Sequence, residues 1–162
     1  MDTTRQSIRI TGYWLMKCEP DLYSISNLET DGSTSWEGVR NYQARNFMRD
    51  HMKLNDRVVF YHSNAKPPGA AGLARVSKTA YPDHFSWDPT HRYFDPQSSP
   101  ENPRWVMVDI AFEQKFKSVI PIQTLRDHPE LQNLMILQKG SRLSITPIDP
   151  HEYHIIHQLG LE

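Results

Sequence analysis

The sequence predicts an α+β protein centred on a small mixed or antiparallel β-barrel of five to six strands, flanked by short helices. Short strand-like segments interleave with turn signals along the 162 residues. Strands and helices do not alternate as they do in a parallel α/β sheet, and no internal repeat occurs. The length suits one domain that can bury a sizeable core.

Five segments carry the strand signal, which is alternation of apolar and polar residues with many β-branched and aromatic side chains. The first ends at Glu19-Pro20, and the third contains Gly72, which indicates a bulge or a close approach to the backbone. The predicted strands are residues 13–17, 57–63, 71–77, 105–116 and 142–146.

Helices are predicted between these strands. Residues 21–28 form a short helix or turn, and residues 122–137 hold one or two short helices broken at His128-Pro129. Apolar residues at helical spacing predict a helix over 42–53, capped by Asn41. A final helix begins with Asp149, Pro150 and Glu152 as its capping residues and is expected to end at Gly160.

A long segment, residues 82–104, shows no periodicity and contains five prolines. Loops of this length without secondary structure are usually functional or disordered. Its aromatic residues favour an ordered, packed loop; they are Phe85, Trp87, Tyr93 and Phe94.

Charge and composition limit the function. Lys and Arg total 18 and Asp and Glu total 19, for a formal net charge of -1, whereas a protein that coats long duplex by its phosphates is usually far more basic. The lone cysteine suits a reducing compartment, and neither a signal peptide nor a membrane-spanning stretch is visible. We expect a cytoplasmic protein of a bacterial host (nuclear in a eukaryote), without membrane attachment and favouring the monomer. Residues 1–11 are expected to form a flexible tail before one domain at 12–162.

The sequence contains few candidates for catalysis or metal binding. Cys18 lies beside Glu19-Pro20 with no catalytic motif around it, so a structural thiol is favoured. His151, His154 and His157 share a helix face, but their spacing matches no ligand signature. We therefore predict no catalytic residue, no metal and no cofactor.

Several residue types suit the binding of an unpaired base, which needs stacking faces and groups that hydrogen-bond its edge. Trp36 is followed by Gly38, whose missing side chain leaves room for a flat ligand. Asn41, Ser63 and Asn64 can both donate and accept hydrogen bonds. Residue types alone support only a soluble barrel with room for an aromatic pocket, because core packing is the favoured explanation of Trp36 from composition.

At these residues the chain resembles the EVE domain family, which includes thymocyte nuclear protein-like proteins. The resemblance runs in the family's order from about residue 12 to residue 160. Its matching segments are residues 13–20 (YWLMKCEP), 36–46 (WEGVRNYQARN), 60–64 (FYHSN), 71–74 (AGLA), 80–83 (AYPD), 103–105 (PRW) and 142–147 (RLSITP). The second segment is long and specific.

The resemblance implies a PUA-like barrel, related in fold to YTH domains that read methylated adenine in RNA. It also implies a pocket for a modified base, with modified cytosine in DNA favoured, in which Trp36 forms an aromatic wall and Arg40 and Arg45 meet phosphates. The other implied pocket residues are Gly38, Val39 and Asn41 on one side, His62, Ser63 and Asn64 on another, Ser144 near the mouth, and Tyr81 and Trp87 in a covering loop.

One position departs from the family, which commonly has Ser where this chain has Cys18. Cys is the weaker hydrogen-bonding partner, so a Cys18 that touches the base would change the preferred modification. A Cys18 that packs against the barrel would leave the preference unchanged.

The resulting hypothesis is a non-catalytic module that reads a modified nucleobase. Three alternatives stay open at the level of sequence. One is a PUA- or YTH-like module that reads modified RNA, since the contact that discriminates the 2′-hydroxyl cannot be deduced from residue types. The second is a hydrolase or base-modifying enzyme that uses Cys18, His62 and an acidic residue. The third is an interaction domain whose aromatic side chains all pack in the core.

Overall fold

The computed structural model describes residues 8–162 and confirms an α+β fold built on one six-stranded mixed sheet. The sheet has the order β2-β5-β4-β3-β1-β6. Its strands are β1 (Tyr13–Cys18), β2 (Ser33–Ser35), β3 (Arg57–His62), β4 (Gly69–Pro82), β5 (Val106–Pro121) and β6 (Ile145–Pro147). Within residues 8–162, β2 and β6 end the sheet and do not pair with each other.

Strand β1 is parallel to β3, and the other pairings are antiparallel. The parallel register sets Cys18 opposite His62. On its other edge β1 meets β6, where Leu15 pairs with Thr146. The C-terminal ends of β1 and β3 therefore lie side by side, next to the residues that directly precede β6.

The two faces of the sheet carry separate hydrophobic clusters, as strand alternation dictates. Trp14 and Met16 of β1 pack on one face together with Phe60 and Trp36. Leu15 packs on the other face with Tyr153 of the C-terminal helix and neighbouring side chains. Each fully buried large side chain contributes about 1.5–3 kcal/mol relative to its exposed state.

In the described part of the chain, four α-helices flank the sheet: α1 (Ile25–Asp31), α2 (Tyr42–Asn46), α3 (Ile122–Asp127) and α4 (Pro150–Leu161). Asn41 caps α2 as predicted, and its side chain accepts a hydrogen bond from the Ala44 N–H. The helix predicted over 42–53 is shorter and is not α-helical throughout. Residues 47–51 form one π-helical turn, and the backbone becomes extended at Met52.

Strands β4 and β5 are longer than predicted because they pair with each other over almost their full length. Four register shifts bend this hairpin, which carries exposed residues such as Lys78 within the ladder. Pairing partners far along the chain cannot be deduced from local alternation. Strand β6 is shorter than the predicted segment 142–146 and begins only at Ile145.

The prediction that Gly160 ends the last helix is wrong, since α4 continues to Leu161. A Cβ at Gly160 would lie 2.2 Å from the Cδ1 atom of Phe116. This glycine therefore allows α4 to pack closely on β5 and does not serve as a helix terminator.

The segment from Asp83 to Trp105, which we call the lid loop, is held by internal hydrogen bonds. It begins with a short 3₁₀ helix, His84–Trp87. The Ser86 hydroxyl lies 3.1 Å from that of Ser98, and the Trp105 indole N–H donates to Asp95 at 2.7 Å. These bonds agree with the prediction of an ordered, packed loop.

Most of the predicted N-terminal tail, residues 1–7, lies outside the described residues. Thr11, the residue before Gly12, donates through its hydroxyl to the Ile148 carbonyl. The division at residue 12 stays a prediction. No helix within residues 8–162 is both long enough and apolar enough to span a bilayer.

Candidate functional site

A cleft of about 400 Å³ opens on the face of the sheet that carries Trp36. It lies between the end of β1, strand β2 with the loop that follows it, and the lid loop. Its lining comprises Lys17, Cys18, Glu19, Leu22, Tyr23, Thr34, Ser35, Trp36, Glu37, Gly38, Val39, Arg40, Ser63, His91, Arg92, Tyr93 and Ser144. The cleft thus gathers seven of the residues proposed from the sequence: Cys18, Trp36, Gly38, Val39, Arg40, Ser63 and Ser144.

Trp36 forms an aromatic wall of the cleft but is only 7% exposed. Its ring meets Phe60 edge-to-face, with centroids 5.6 Å apart and planes at 89°. Its backbone N–H donates to the Val108 carbonyl at 2.7 Å, just beyond the pairing of β2 with β5. The indole is therefore held rigidly, and most of its surface serves the core.

Gly38 has a φ of +86°, which an L-residue with a side chain adopts only with strain. A Cβ at this position would lie 2.5 Å from the Cε2 atom of Tyr93. The space expected to admit a flat ligand is thus occupied by the Tyr93 ring. The structure adds Tyr93, which sequence reasoning placed only among the loop aromatics, to the cleft wall.

Asp83 connects the loop of Gly38 to the lid loop. Its carboxylate is fully buried, and Oδ2 accepts from the Gly38 N–H and from Arg40 Nη1, both at 3.0 Å. Its other oxygen, Oδ1, accepts from the Phe85 N–H at 3.0 Å. Arg40 also donates through Nη2 to the Tyr93 carbonyl at 2.6 Å. This ion pair, in which the carboxylate is fully buried and the arginine side chain is 24% exposed, thereby fixes the position of Tyr93 against Gly38.

Polar groups line the cleft between the aromatic walls. The Ser35 hydroxyl donates to Glu37 Oε2 at 2.7 Å, and a carboxylate can accept further hydrogen bonds. The Tyr23 hydroxyl donates to Asp31 at 2.7 Å. Burial, followed by this hydrogen bond, raises the pKa of Tyr23 to about 12, so the phenol stays protonated at neutral pH.

Five residues proposed for the pocket lie outside the cleft lining, and two of them have clear structural roles. Asn41 caps α2. His62 is buried, and its Nε2 atom accepts from the Ile25 N–H at 3.1 Å, where α1 begins. Burial lowers the pKa of His62, so the ring is neutral at pH 7.

The other three are Asn64, Tyr81 and Trp87. Asn64 has a φ of 49° and donates to Glu19 Oε1 at 3.1 Å. The Tyr81 hydroxyl donates to the carboxylate of Asp109, the β5 residue that pairs with Lys78 of β4. Trp87 is half-buried within the lid loop. Their roles in binding stay predictions.

Arg45 also lies outside the cleft lining. Its Nη1 atom donates to the Arg104 carbonyl at 3.1 Å, and its Nε and Nη2 atoms donate to Asn46 Oδ1. Its guanidinium carbon is 4.6 Å from the centroid of the Tyr42 ring. The guanidinium is thus already engaged within the protein, as is that of Arg40.

Sequence reasoning missed several lining residues besides Tyr93. Tyr23 and Leu22 come from the loop between β1 and α1, Glu37 lies next to Trp36, and His91 and Arg92 precede Tyr93 in the lid loop. The signal for Glu37 was its place inside the specific Trp36 segment. The lid-loop residues had no such signal, because only the fold brings that loop to the cleft.

Cys18 lies in the cleft as a protonated thiol. Burial, then the carboxylates of Glu19 and Glu37, raises its pKa to about 11. Its Sγ atom lies 3.6 Å from the Glu19 carbonyl oxygen, to which it donates. Although Cys18 and His62 are register partners, no hydrogen bond joins their side chains in the described chain. This pair therefore supplies no thiolate nucleophile at neutral pH.

We expect Cys18 to react slowly with iodoacetamide, because only the thiolate is alkylated. With a pKa of about 11, the rate should rise about tenfold per pH unit from pH 7 to pH 10, without a plateau. A cysteine in a short unstructured peptide, with a pKa of about 8.5, is the reference, and its rate should level off within this range. A plateau for the protein below pH 9, measured by mass spectrometry, would contradict the assignment.

The histidines of α4 have separate partners. His151 lies 3.1 Å from Glu130, and His157 lies 3.2 Å from Gln114. His154 contacts the Tyr153 ring edge-on. Within residues 8–162, no three His, Cys, Asp or Glu side chains gather in an arrangement suited to a metal ion.

The mixed six-stranded sheet and the aromatic-walled cleft on one of its faces define an α+β domain with a ligand-sized site. The chain belongs to the EVE domain family, which matches residues 12–159, as the resemblance implied. Human thymocyte nuclear protein 1 is 40% identical over 169 residues, which cover 93% of this chain and 74% of the human protein.

Solved structures agree with this membership. A Pseudomonas syringae protein has 45% sequence identity and a TM-score of 0.88, covering 92% of this chain and 99% of that one. Human thymocyte nuclear protein 1, solved in complex with DNA that contains 5-methylcytosine, has 38% identity and a TM-score of 0.85, covering 93% of this chain and 98% of that one.

Proposed function

We propose that this protein is a non-catalytic reader of a modified nucleobase, with modified cytosine in DNA as the favoured ligand. The observation that carries the proposal is the cleft of about 400 Å³ walled by Trp36 and Tyr93. Support comes from its family, in which the human relative is found with DNA that contains 5-methylcytosine. A nucleotide rotates out of its strand, and its base enters the cleft.

The chemistry of the cleft suits a cytosine edge. The Glu37 carboxylate can accept a hydrogen bond from the exocyclic amino group of cytosine, a pairing that proteins use for this base. The Ser63 and Ser144 hydroxyls can donate to or accept from the remaining edge. A methyl group enclosed by the cleft adds about 0.8 kcal/mol through burial, and stacking adds roughly 1–3 kcal/mol.

Recognition in this proposal requires no covalent step. The protonated Cys18 thiol and the neutral His62, which already accepts from the backbone of α1, support binding over a hydrolase or base-modifying activity. A protonated thiol presents a weakly polar surface next to the base, where the family's serine would present a hydroxyl. We infer that Cys18 shapes the preference among modifications.

The proposal is tested by fluorescence anisotropy with short labelled oligonucleotides at low salt. The set comprises DNA with cytosine, 5-methylcytosine or 5-hydroxymethylcytosine, and RNA with adenosine or N6-methyladenosine. Tighter binding to one modified cytosine than to its matched unmodified DNA supports the proposal. Preference for the modified RNA favours the RNA-reading alternative, and equal affinities throughout rule out a reader of these bases.

We expect Trp36→Leu to weaken binding to the preferred modified oligonucleotide by about fivefold to 150-fold, the equivalent of a lost stacking contact of roughly 1–3 kcal/mol. The matched control is Phe47→Leu, which removes an aromatic ring from the same buried cluster without touching the cleft. Circular dichroism establishes that both variants are folded. Equal affinities for the two variants would remove Trp36 from the binding site.

A further inference from the structure

A second depression, of about 320 Å³, is lined by residues that directly precede the cleft residue Ser144 in the sequence. We call it the groove; residues 135 and 138–143 line it, between α3 and β6. Its last residue, Leu143, is followed directly by Ser144 of the cleft. The Lys17 N–H donates to the Ser144 carbonyl at 2.8 Å, which holds this exit of the groove beside β1.

The groove is a local patch of positive charge on a protein whose formal net charge is -1. Residues 131–148 contain Lys139 and Arg142 and no Asp or Glu. Both cations are exposed, and neither forms a salt bridge with a carboxylate of residues 8–162. Two cations without a counterion attract an anionic partner.

The backbone of the groove is open as well. Gly140 has a φ of +79°, and a Cβ placed on it would find no atom within 4 Å. Ser141 contributes a hydroxyl beside it. Phosphate oxygens in protein–DNA complexes are bound by Lys, Arg, Ser and backbone N–H groups, which are the groups assembled here.

The arginines first considered for phosphate contacts have less capacity to bind them. Arg40 is held by Asp83 and the Tyr93 carbonyl, and Arg45 by Asn46 and the Arg104 carbonyl. We propose that the groove binds the phosphodiester backbone of the strand whose modified base enters the cleft. This inference rests on the proposed function, since the base in the cleft sets the path of the strand across the groove.

The test measures log Kd against log salt concentration for the wild type and for the double variant Lys139→Gln/Arg142→Gln. Each lost phosphate contact lowers the magnitude of the slope by about 0.7 for single strands and about 0.9 for duplex. We expect the double variant to lose roughly 1.4–1.8 from the slope. Because phosphate contacts carry no base information, its ratio of affinities for modified and unmodified DNA should match the wild type.

The matched control is Lys115→Gln/Lys117→Gln, which removes the same charge from exposed residues of β5 that line neither the cleft nor the groove. A slope that falls only in the groove variant supports the proposal. A slope unchanged in the groove variant, or reduced equally in both variants, overturns it. Failure of the proposed function is a separate result, namely a wild type that does not distinguish modified from unmodified DNA.

Discussion

Asp83→Ala is expected to lower the free energy of unfolding by about 3–5 kcal/mol, because it leaves the Arg40 guanidinium without its buried partner. Asp83 is 0% exposed and accepts three hydrogen bonds, from Gly38, Arg40 and Phe85. Truncation removes all three at once, two of them from backbone groups. For a domain of this size, the thermal midpoint should fall by roughly 6–20 °C, as measured by calorimetry or circular dichroism.

The control for Asp83 is Asp50→Ala, which removes the acidic partner of an exposed arginine. The Arg49–Asp50 pair has side chains 47% and 43% exposed, so water screens it and replaces its hydrogen bonds. Its thermal midpoint should stay near that of the wild type. If both alanine variants shift the midpoint equally, the ion pair between Arg40 and Asp83 does not anchor the lid loop as argued.

Local sequence signals predict the parts of this fold that depend on neighbouring residues. Asn41 caps α2, and Asp149 with Glu152 forms the capping box of α4, as their spacing predicts. Alternation placed β1 and β3 to within a residue at each end. These features need no knowledge of the rest of the chain.

Features that depend on distant partners could not be predicted in this way. Strand β4 extends to Pro82 because β5 accompanies it, and Gly160 continues a helix because Phe116 lies beneath it. The Asp83 side chain has a local role, since it accepts from the Phe85 N–H and caps the short 3₁₀ helix of the lid loop. Its second role, as the buried partner of Arg40, joins residues 43 positions apart and appears only in the fold.

The candidate site likewise contains residues that the sequence indicates and one wall that only the fold brings into place. The segment around Trp36 is specific enough to mark the cleft from the sequence, and Cys18, Ser63 and Ser144 converge on it. Tyr93 completes the wall from a proline-rich loop whose course no periodicity describes. Residue type could not distinguish it from Trp87, which the same loop holds away from the cleft lining.

Gly38→Ala should be the most damaging small substitution in the cleft, since it combines backbone strain with a steric clash. Holding alanine at a φ of +86° costs about 1–2 kcal/mol. The new Cβ would lie 2.5 Å from Cε2 of Tyr93, and overpacking of this kind costs roughly 1–3 kcal/mol more. The Tyr93 ring can yield only by moving away from its place in the cleft wall, so affinity for the modified base should fall together with stability.

Gly32→Ala separates the two contributions, because Gly32 has a φ of +80° and nothing within 4 Å of its Cβ position. Its free energy of unfolding should fall only by the cost of holding alanine at a positive φ, and its affinity for the modified base should equal that of the wild type. Chemical denaturation of both variants measures the loss of unfolding free energy, and anisotropy titration measures the loss of affinity. Equal losses of stability for Gly32→Ala and Gly38→Ala would mean that the Tyr93 ring adapts without cost. Retained affinity in Gly38→Ala would mean that the position of this ring does not define the site.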